Sequence, residues 1–235
     1  EAGCYKCHSG EAYIKGADKL TLGLTLIEKA GCYGCHTIEK YTGKRKSGPD
    51  LTRINEKTDR EWTQKWVKDP KSFRHNTWMP SFFNQSNNND HHSIKRNDAE
   101  IYAMVEYLFK DKQEIDRNQN HSKYLGDADN GQKLFNSVGC MGCHTVALEP
   151  EDKKMTLESM LDRQGPNLIS LGSKTTPKWL YNWIKDPKSY WPDTKMPDLR
   201  LSDSEAKDIT AYLYSMKNNE FDKSPGIELN KEELT

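Results

Sequence analysis

One pentapeptide occurs three times in this chain, as Cys4-Tyr5-Lys6-Cys7-His8, Cys32-Tyr33-Gly34-Cys35-His36 and Cys140-Met141-Gly142-Cys143-His144. Each copy reads C-x-x-C-H, the pattern by which a chain attaches a c-type haem. Two thiols must reach the two vinyl groups on one porphyrin edge, and the next residue must place an imidazole nitrogen beneath the iron. One tight turn brings all three side chains to one side. Zinc also favours paired cysteines, but it would need four ligands pooled from different pairs. It would not explain a histidine after the second cysteine in every copy. All six cysteines fall inside the motifs, which leaves none for a disulfide.

Composition supports the same reading. Of 235 residues only 34 % are apolar and 30 % are charged, a thin supply for two independent cores. Three covalent haems would each add a large apolar surface to the interior. Lysine plus arginine and aspartate plus glutamate both number 35, so the formal net charge is zero. No basic excess points to nucleic acid. No run of 18 apolar residues offers a transmembrane segment, and no signal peptide is present. Covalent haem attachment occurs outside the cytoplasm, so an export signal is expected to have been removed. The expected location is the periplasm or the extracytoplasmic face of a bacterial membrane.

The second and third motifs sit in a repeat. Gly23, Gly31 and Cys32 match Gly131, Gly139 and Cys140 at an offset of 108. The match resumes at an offset of 117, where Gly48-Pro49-Asp50-Leu51 meets Gly165-Pro166-Asn167-Leu168. At that offset Trp62 and Trp66 meet Trp179 and Trp183, and Asp69-Pro70-Lys71-Ser72 meets Asp186-Pro187-Lys188-Ser189. Thr77 and Met79-Pro80 meet Thr194 and Met196-Pro197. The offset then falls to 105, where Asp98, Glu100, Tyr107 and Leu108 meet Asp203, Glu205, Tyr212 and Leu213. An internal duplication is the reading.

The changes of offset put nine extra residues after the third motif and twelve between Met79 and Asp98. The latter insertion is the polar stretch running to His91-His92. Expected domains are an N-terminal haem-binding segment 1–19, a first domain 20–112, a polar linker 113–125, a second domain 126–218 and a charged tail 219–235. The tail is expected to be extended or docked on a partner.

Within each domain the expected order is helix, haem motif, Gly-Pro loop, helix with two tryptophans, Met-Pro loop and closing helix. Trp62/Trp66 and Trp179/Trp183 are spaced i, i+4, so each pair shares one helix face. The aspartate before Pro70 and Pro187 ends each tryptophan helix. The closing helices carry Ile101, Met104, Val105 and Leu108, then Ala206, Ile209, Tyr212 and Leu213, at helical spacing. An iron that only transfers electrons needs a second axial ligand opposite its histidine. A lone methionine is usually core filler. Two at one duplicated loop position make Met79 and Met196 the expected sixth ligands, a pairing that raises the potential.

With these marks in place, residues 20–112 and 126–218 each resemble a class I cytochrome c domain. The resemblance implies an all-α fold, two tandem domains of that class behind an N-terminal haem-binding stub. It implies three c-type haems held by Cys4 and Cys7, Cys32 and Cys35, and Cys140 and Cys143, with iron ligated by His8, His36 and His144. It also implies that Pro49 and Pro166 touch the proximal histidines, with Trp62 and Trp179 in the haem pockets. More loosely, the chain is similar to multihaem cytochrome subunits that accompany quinol-oxidising cytochrome b complexes in bacteria.

The first motif has no Met-Pro loop of its own. Candidates for its sixth ligand are His91 and His92 in the insertion, then His121 in the linker, then a partner subunit. Two functions are weighed. The first is electron transfer, as a relay subunit of a respiratory or other membrane-associated redox complex or as a periplasmic carrier, with redox proteins as partners. Near-zero charge gives little long-range steering and favours a standing complex. The second is a haem enzyme, a peroxidase or small-molecule reductase, with an open first haem and His91 or His92 as acid–base group.

Overall fold

The structure, a computed structural model, describes residues 14–18, 21, 48–75, 77, 79–83, 85–147 and 165–227. The chain divides into two compact units, Glu1–Leu51 and Thr52–Thr235. In the first, Ile14 and Ala17 are buried and joined by a turn, and the Ile14 amide donates to Thr21 Oγ1. The boundary at Leu51/Thr52 falls inside the stretch 20–112 expected as one domain. The helix expected before the second motif lies outside the described residues, apart from Thr21.

The second unit is helical, with no strand among the described residues. Its α-helices run α1 Ile54–Lys57, α2 Arg60–Lys68, α3 Pro70–Phe73, α4 His91–Phe109, α5 Ala128–Ser137, α6 Pro177–Lys185, α7 Pro187–Tyr190, α8 Asp203–Ser215 and α9 Asn219–Lys223. The duplication is visible in the way helices start and stop. Asp59 Oδ1 accepts from the Trp62 amide at 2.7 Å, and Thr176 Oγ1 accepts from the Trp179 amide at 3.3 Å. These caps satisfy amides that the first turn leaves without partners. Asp69 and Asp186 close α2 and α6, then cap α3 and α7, where proline at the first helical position lacks the amide anyway.

The core of the second repeat is a helix crossing. Phe135 on α5 packs against Tyr212 of α8, with ring centroids 5.7 Å apart, beside buried Ile209, Leu213 and Leu180. Gly131 permits the approach, because a Cβ there would overlap the backbone of Asp208. The Asp208 carboxylate takes the Asp127 amide at 2.8 Å and the Asn130 side chain at 2.7 Å. Gly131→Ala is expected to lower stability by about 1–3 kcal/mol through overpacking, measured as a shift in the guanidinium midpoint at unchanged slope.

Three expectations change. The insertion does not end as a loop: Asp90 accepts from the His92 and Ser93 amides at 3.0 Å each, so α4 starts at His91. The buried stripe of α4 is Ile101, Val105 and Phe109, whereas Met104 is 42 % exposed and Tyr107 78 % exposed. The tail is not extended at 219–223. It forms α9, whose Phe221 is 3 % exposed and packs at 4.8 Å from Phe73 and 6.0 Å from Trp62.

The linker is fastened as well. The Arg117 guanidinium pairs with Asp59 and donates to the carbonyls of Ser173 and Lys174 at 2.9 and 3.0 Å. Glu114 accepts from the Arg60 amide at 2.7 Å. The two repeats therefore meet through specific polar contacts on both sides of the linker.

Candidate functional site

The third motif is held by its own backbone. The Gly142, Cys143 and His144 amides donate to the carbonyls of Gly139, Cys140 and Cys140 at 3.0, 3.2 and 2.9 Å. This 3₁₀ turn, Cys140–Gly142, places both thiols and the imidazole within a single turn. His144 Nδ1 donates to the Pro166 carbonyl at 2.8 Å. That bond fixes the tautomer and leaves Nε2 as the nitrogen with a free lone pair. Burial holds the imidazole below its usual range, against the pull of the Pro166 carbonyl, which favours the neutral form.

Gly165 explains why the Gly-Pro pair is needed. A Cβ there would lie 2.5 Å from His144 Cε1 and 2.6 Å from Nδ1. Its amide donates to the Cys143 carbonyl at 3.0 Å, and the Leu168 amide to the Thr145 carbonyl at 2.7 Å. The loop is thus stitched against the motif.

The methionine loops carry one device twice. The Met79 amide donates to Thr77 Oγ1 at 3.3 Å, and the Met196 amide to Thr194 Oγ1 at 3.2 Å. A threonine two residues upstream therefore sets each methionine's backbone. In the second repeat the Trp183 indole Nε1 donates to the Met196 sulfur at 2.9 Å.

Each repeat also carries an aromatic wall. Trp62 and Trp66 stack at 5.2 Å with Phe73 edge-on to both, at 5.2 and 5.7 Å. Trp179 and Trp183 stack at 5.3 Å with Tyr190 edge-on to both, at 5.3 and 5.9 Å. The walls are crossed by charge. Lys57 Nζ lies 4.6 Å from the Trp179 ring centroid and 6.0 Å from that of Trp183. Lys174 Nζ lies 4.6 Å from the Trp62 centroid and 5.4 Å from that of Trp66. Trp62 Nε1 and Arg74 Nε are buried without a hydrogen-bond partner.

The other expected site residues are less assembled. Cys4, Cys7, His8, Cys32, Cys35 and His36 lie outside the described residues. Pro49 is exposed, and the histidine it was expected to touch is not described. His91 and His92 are exposed in the first turn of α4. His121 is buried, with Nε2 donating to the Asp116 carbonyl at 3.1 Å. Among the described residues no three His, Cys, Asp or Glu side chains converge on a metal position. No described helix is long and apolar enough to cross a membrane. Sequence reading missed Lys57, Lys174 and Arg74. The first two share the 117 offset of the tryptophans, and that was the available signal.

Comparison with known proteins agrees with this geometry. A family model described as Cytochrome c matches residues 20–110 and again 128–217. The chain is 34 % identical over 100 residues to cytochrome c oxidase subunit 2 of Bacillus subtilis (strain 168), covering 38 % of this chain and 26 % of that protein. It is 31 % identical over 100 residues to the subunit 2 of Bacillus sp. (strain PS3), with the same coverage. It is 30 % identical over 112 residues to cytochrome c of Dictyostelium discoideum, covering 37 % of this chain and 89 % of that protein. The match thus spans about a quarter of the two oxidase subunits. No solved structure matches significantly.

Proposed function

The chain belongs to the cytochrome c family, and from that premise we propose that it passes electrons through three c-type haems as a relay subunit of a membrane-associated respiratory complex, on the extracytoplasmic face. The observation that carries the reading is the duplicated methionine turn: Met79 and Met196, each held by a threonine two residues before it. A sixth ligand built twice fits a centre that changes oxidation state without binding substrate.

The residues present fit such a group. Cys140 and Cys143 stand at thioether spacing on one turn, His144 keeps Nε2 available, and the buried indole nitrogen of Trp62 finds no acceptor among the described residues. Bound haem supplies a one-electron iron couple. The chain's part is to orient and to tune. Pro166 holds the His144 ring and makes it a stronger donor. The Trp183 N–H draws density from the Met196 sulfur, which disfavours the more positive oxidation state. The aromatic walls offer apolar surface that a porphyrin would cover. Similarity to oxidase subunits supports a place beside a larger redox complex, and zero formal charge supports standing rather than transient association.

A potentiometric titration tests the proposal. Three reversible one-electron equivalents per chain, with no binding of carbon monoxide or cyanide, is the expected result. A haem that is high-spin and takes up either ligand contradicts it, and points to the enzyme reading with an open first haem.

A further inference from the structure

A short piece of the first repeat is seated on the second repeat's aromatic wall. The Arg53 guanidinium donates to the Ser189 and Tyr190 carbonyls at 3.0 and 2.9 Å and lies 4.6 Å from the Tyr190 ring centroid. In return the Tyr190 hydroxyl donates to the Arg53 carbonyl at 2.6 Å. At the end of α1 the half-buried Lys57 holds its ammonium 4.6 Å from the Trp179 centroid and 6.0 Å from that of Trp183. Trp179 and Trp183 stack at 5.3 Å, and the Trp183 indole N–H ends on the Met196 sulfur at 2.9 Å. Contacts therefore run stepwise from one repeat's backbone to the other repeat's expected iron ligand.

Of the two cations only Lys57 brings net charge. Glu56 accepts from Arg53 Nε and Nη2 at 2.8 and 2.6 Å, so that guanidinium is neutralised where it stands. Among the described residues Lys57 has no carboxylate within ion-pair distance. Desolvation, then repulsion from Arg74, brings it down to about 8, so in neutral buffer it keeps its charge. An ammonium over an indole face draws electron density from the ring. The indole N–H then becomes a stronger donor, as linked polar groups polarise one another. A hydrogen bond to an axial ligand is one of the means by which a protein sets a haem potential.

We infer that Lys57 is a positioning residue that the first repeat supplies to the second, where it strengthens the Trp183 hydrogen bond to Met196 and raises the potential of the haem at Cys140 and Cys143. The Arg53–Tyr190 clasp holds it there. This rests on the reading that Met196 ligates that iron. The direction follows from charge, since a nearby cation and a stronger donor at the sulfur both favour the ferrous state. One repeat thereby sets the potential of its sister's haem.

The test compares the full-length holoprotein with its Lys57→Gln and Lys57→Arg variants in neutral buffer. The axial-methionine methyl NMR signal that disappears in Met196→His identifies the haem, and that signal is followed through a redox titration. Lys57→Gln is expected to raise the ferric-to-ferrous ratio of this haem at fixed potential by roughly three- to tenfold, a fall of about 30–60 mV for a one-electron couple. Lys57→Arg keeps the charge and should stay near wild type. Tyr190→Phe takes the hydroxyl from the clasp and should move the ratio the same way by less. Repeating Lys57→Gln in a Trp183→Phe background closes a double-mutant cycle, in which the shift should shrink because the bond it acts on is gone. An unmoved ratio in Lys57→Gln, a shift that falls on the haem ligated by Met79 instead, or a full-sized shift in the Trp183→Phe background overturns the inference. Where Trp183→Phe fails to hold its haem, the Trp183 indole proton resonance of the ferrous protein decides. It should move upfield in Lys57→Gln as the bond weakens, and its staying in place overturns the inference. The lack of any methionine methyl signal that depends on Met196 overturns the underlying ligation reading, a result distinct from a signal whose titration Lys57→Gln leaves unmoved.

Discussion

Met196→Ala is expected to open one iron and only one. The variant should bind one equivalent of carbon monoxide per chain where the wild type binds none. It should also lose about half of the near-infrared sulfur-to-iron charge-transfer intensity, the other half being expected from Met79. The Met196 position is set by the Thr194 hydroxyl through the backbone and by the Trp183 N–H at the sulfur. The backbone bond to Thr194 remains in the variant, so the loop keeps its path, while the sulfur and its Trp183 bond are removed. The potential of that haem should fall, since thioether ligation is what raises it. Met196→His should restore the low-spin state without restoring the potential. Carbon monoxide uptake by wild type, or an unchanged charge-transfer band in the alanine variant, would remove Met196 from the iron.

Phe221→Ala is expected to cost about 3–5 kcal/mol of stability, the usual range for emptying a buried phenylalanine site. The ring fills the space beside Trp62 and edge-on to Phe73. Around it Asn218 donates to the Ser72 and Phe73 carbonyls at 3.2 and 3.3 Å, and Lys65 Nζ to the Asp222 carbonyl at 3.1 Å. Ser173 Oγ donates to the Asp222 carboxylate at 2.7 Å. Those polar bonds link the tail to both repeats, but each is worth only about 1 kcal/mol net. The phenylalanine therefore carries the docking. Guanidinium unfolding should show the loss, and Phe221→Leu should recover part of it. A variant within about 0.5 kcal/mol of wild type would mean that α9 rests on the surface without holding it.

Much of this was legible because the chain repeats itself. Helix class, the tryptophan helices and their aspartate–proline stops follow from 3.6-residue spacing and from proline's missing amide. The Gly-Pro loop was legible as a motif, but not its reason, which is that the Gly165 backbone passes against the His144 ring. Residues that act across the repeats were not legible. Lys57 and Lys174 look like ordinary helix-flanking lysines, and only packing puts each against the other's tryptophans. Phe221 follows four polar residues in a charged tail and shows no periodicity. His91 and His92 looked like loop residues because no apolar pattern marks the first turn of α4. The Asp90 cap was the overlooked signal.

The central claim is that two haems belong to a duplicated methionine-ligated pair and the third, at Cys4 and Cys7, is of another kind. Low-temperature spin resonance with near-infrared dichroism on the fully oxidised protein, normalised to total haem, tests it most directly. The account predicts two methionine-ligated low-spin haems per chain and a third centre with a different signature. Three equivalent signals, or a single methionine-ligated haem per chain, would contradict it.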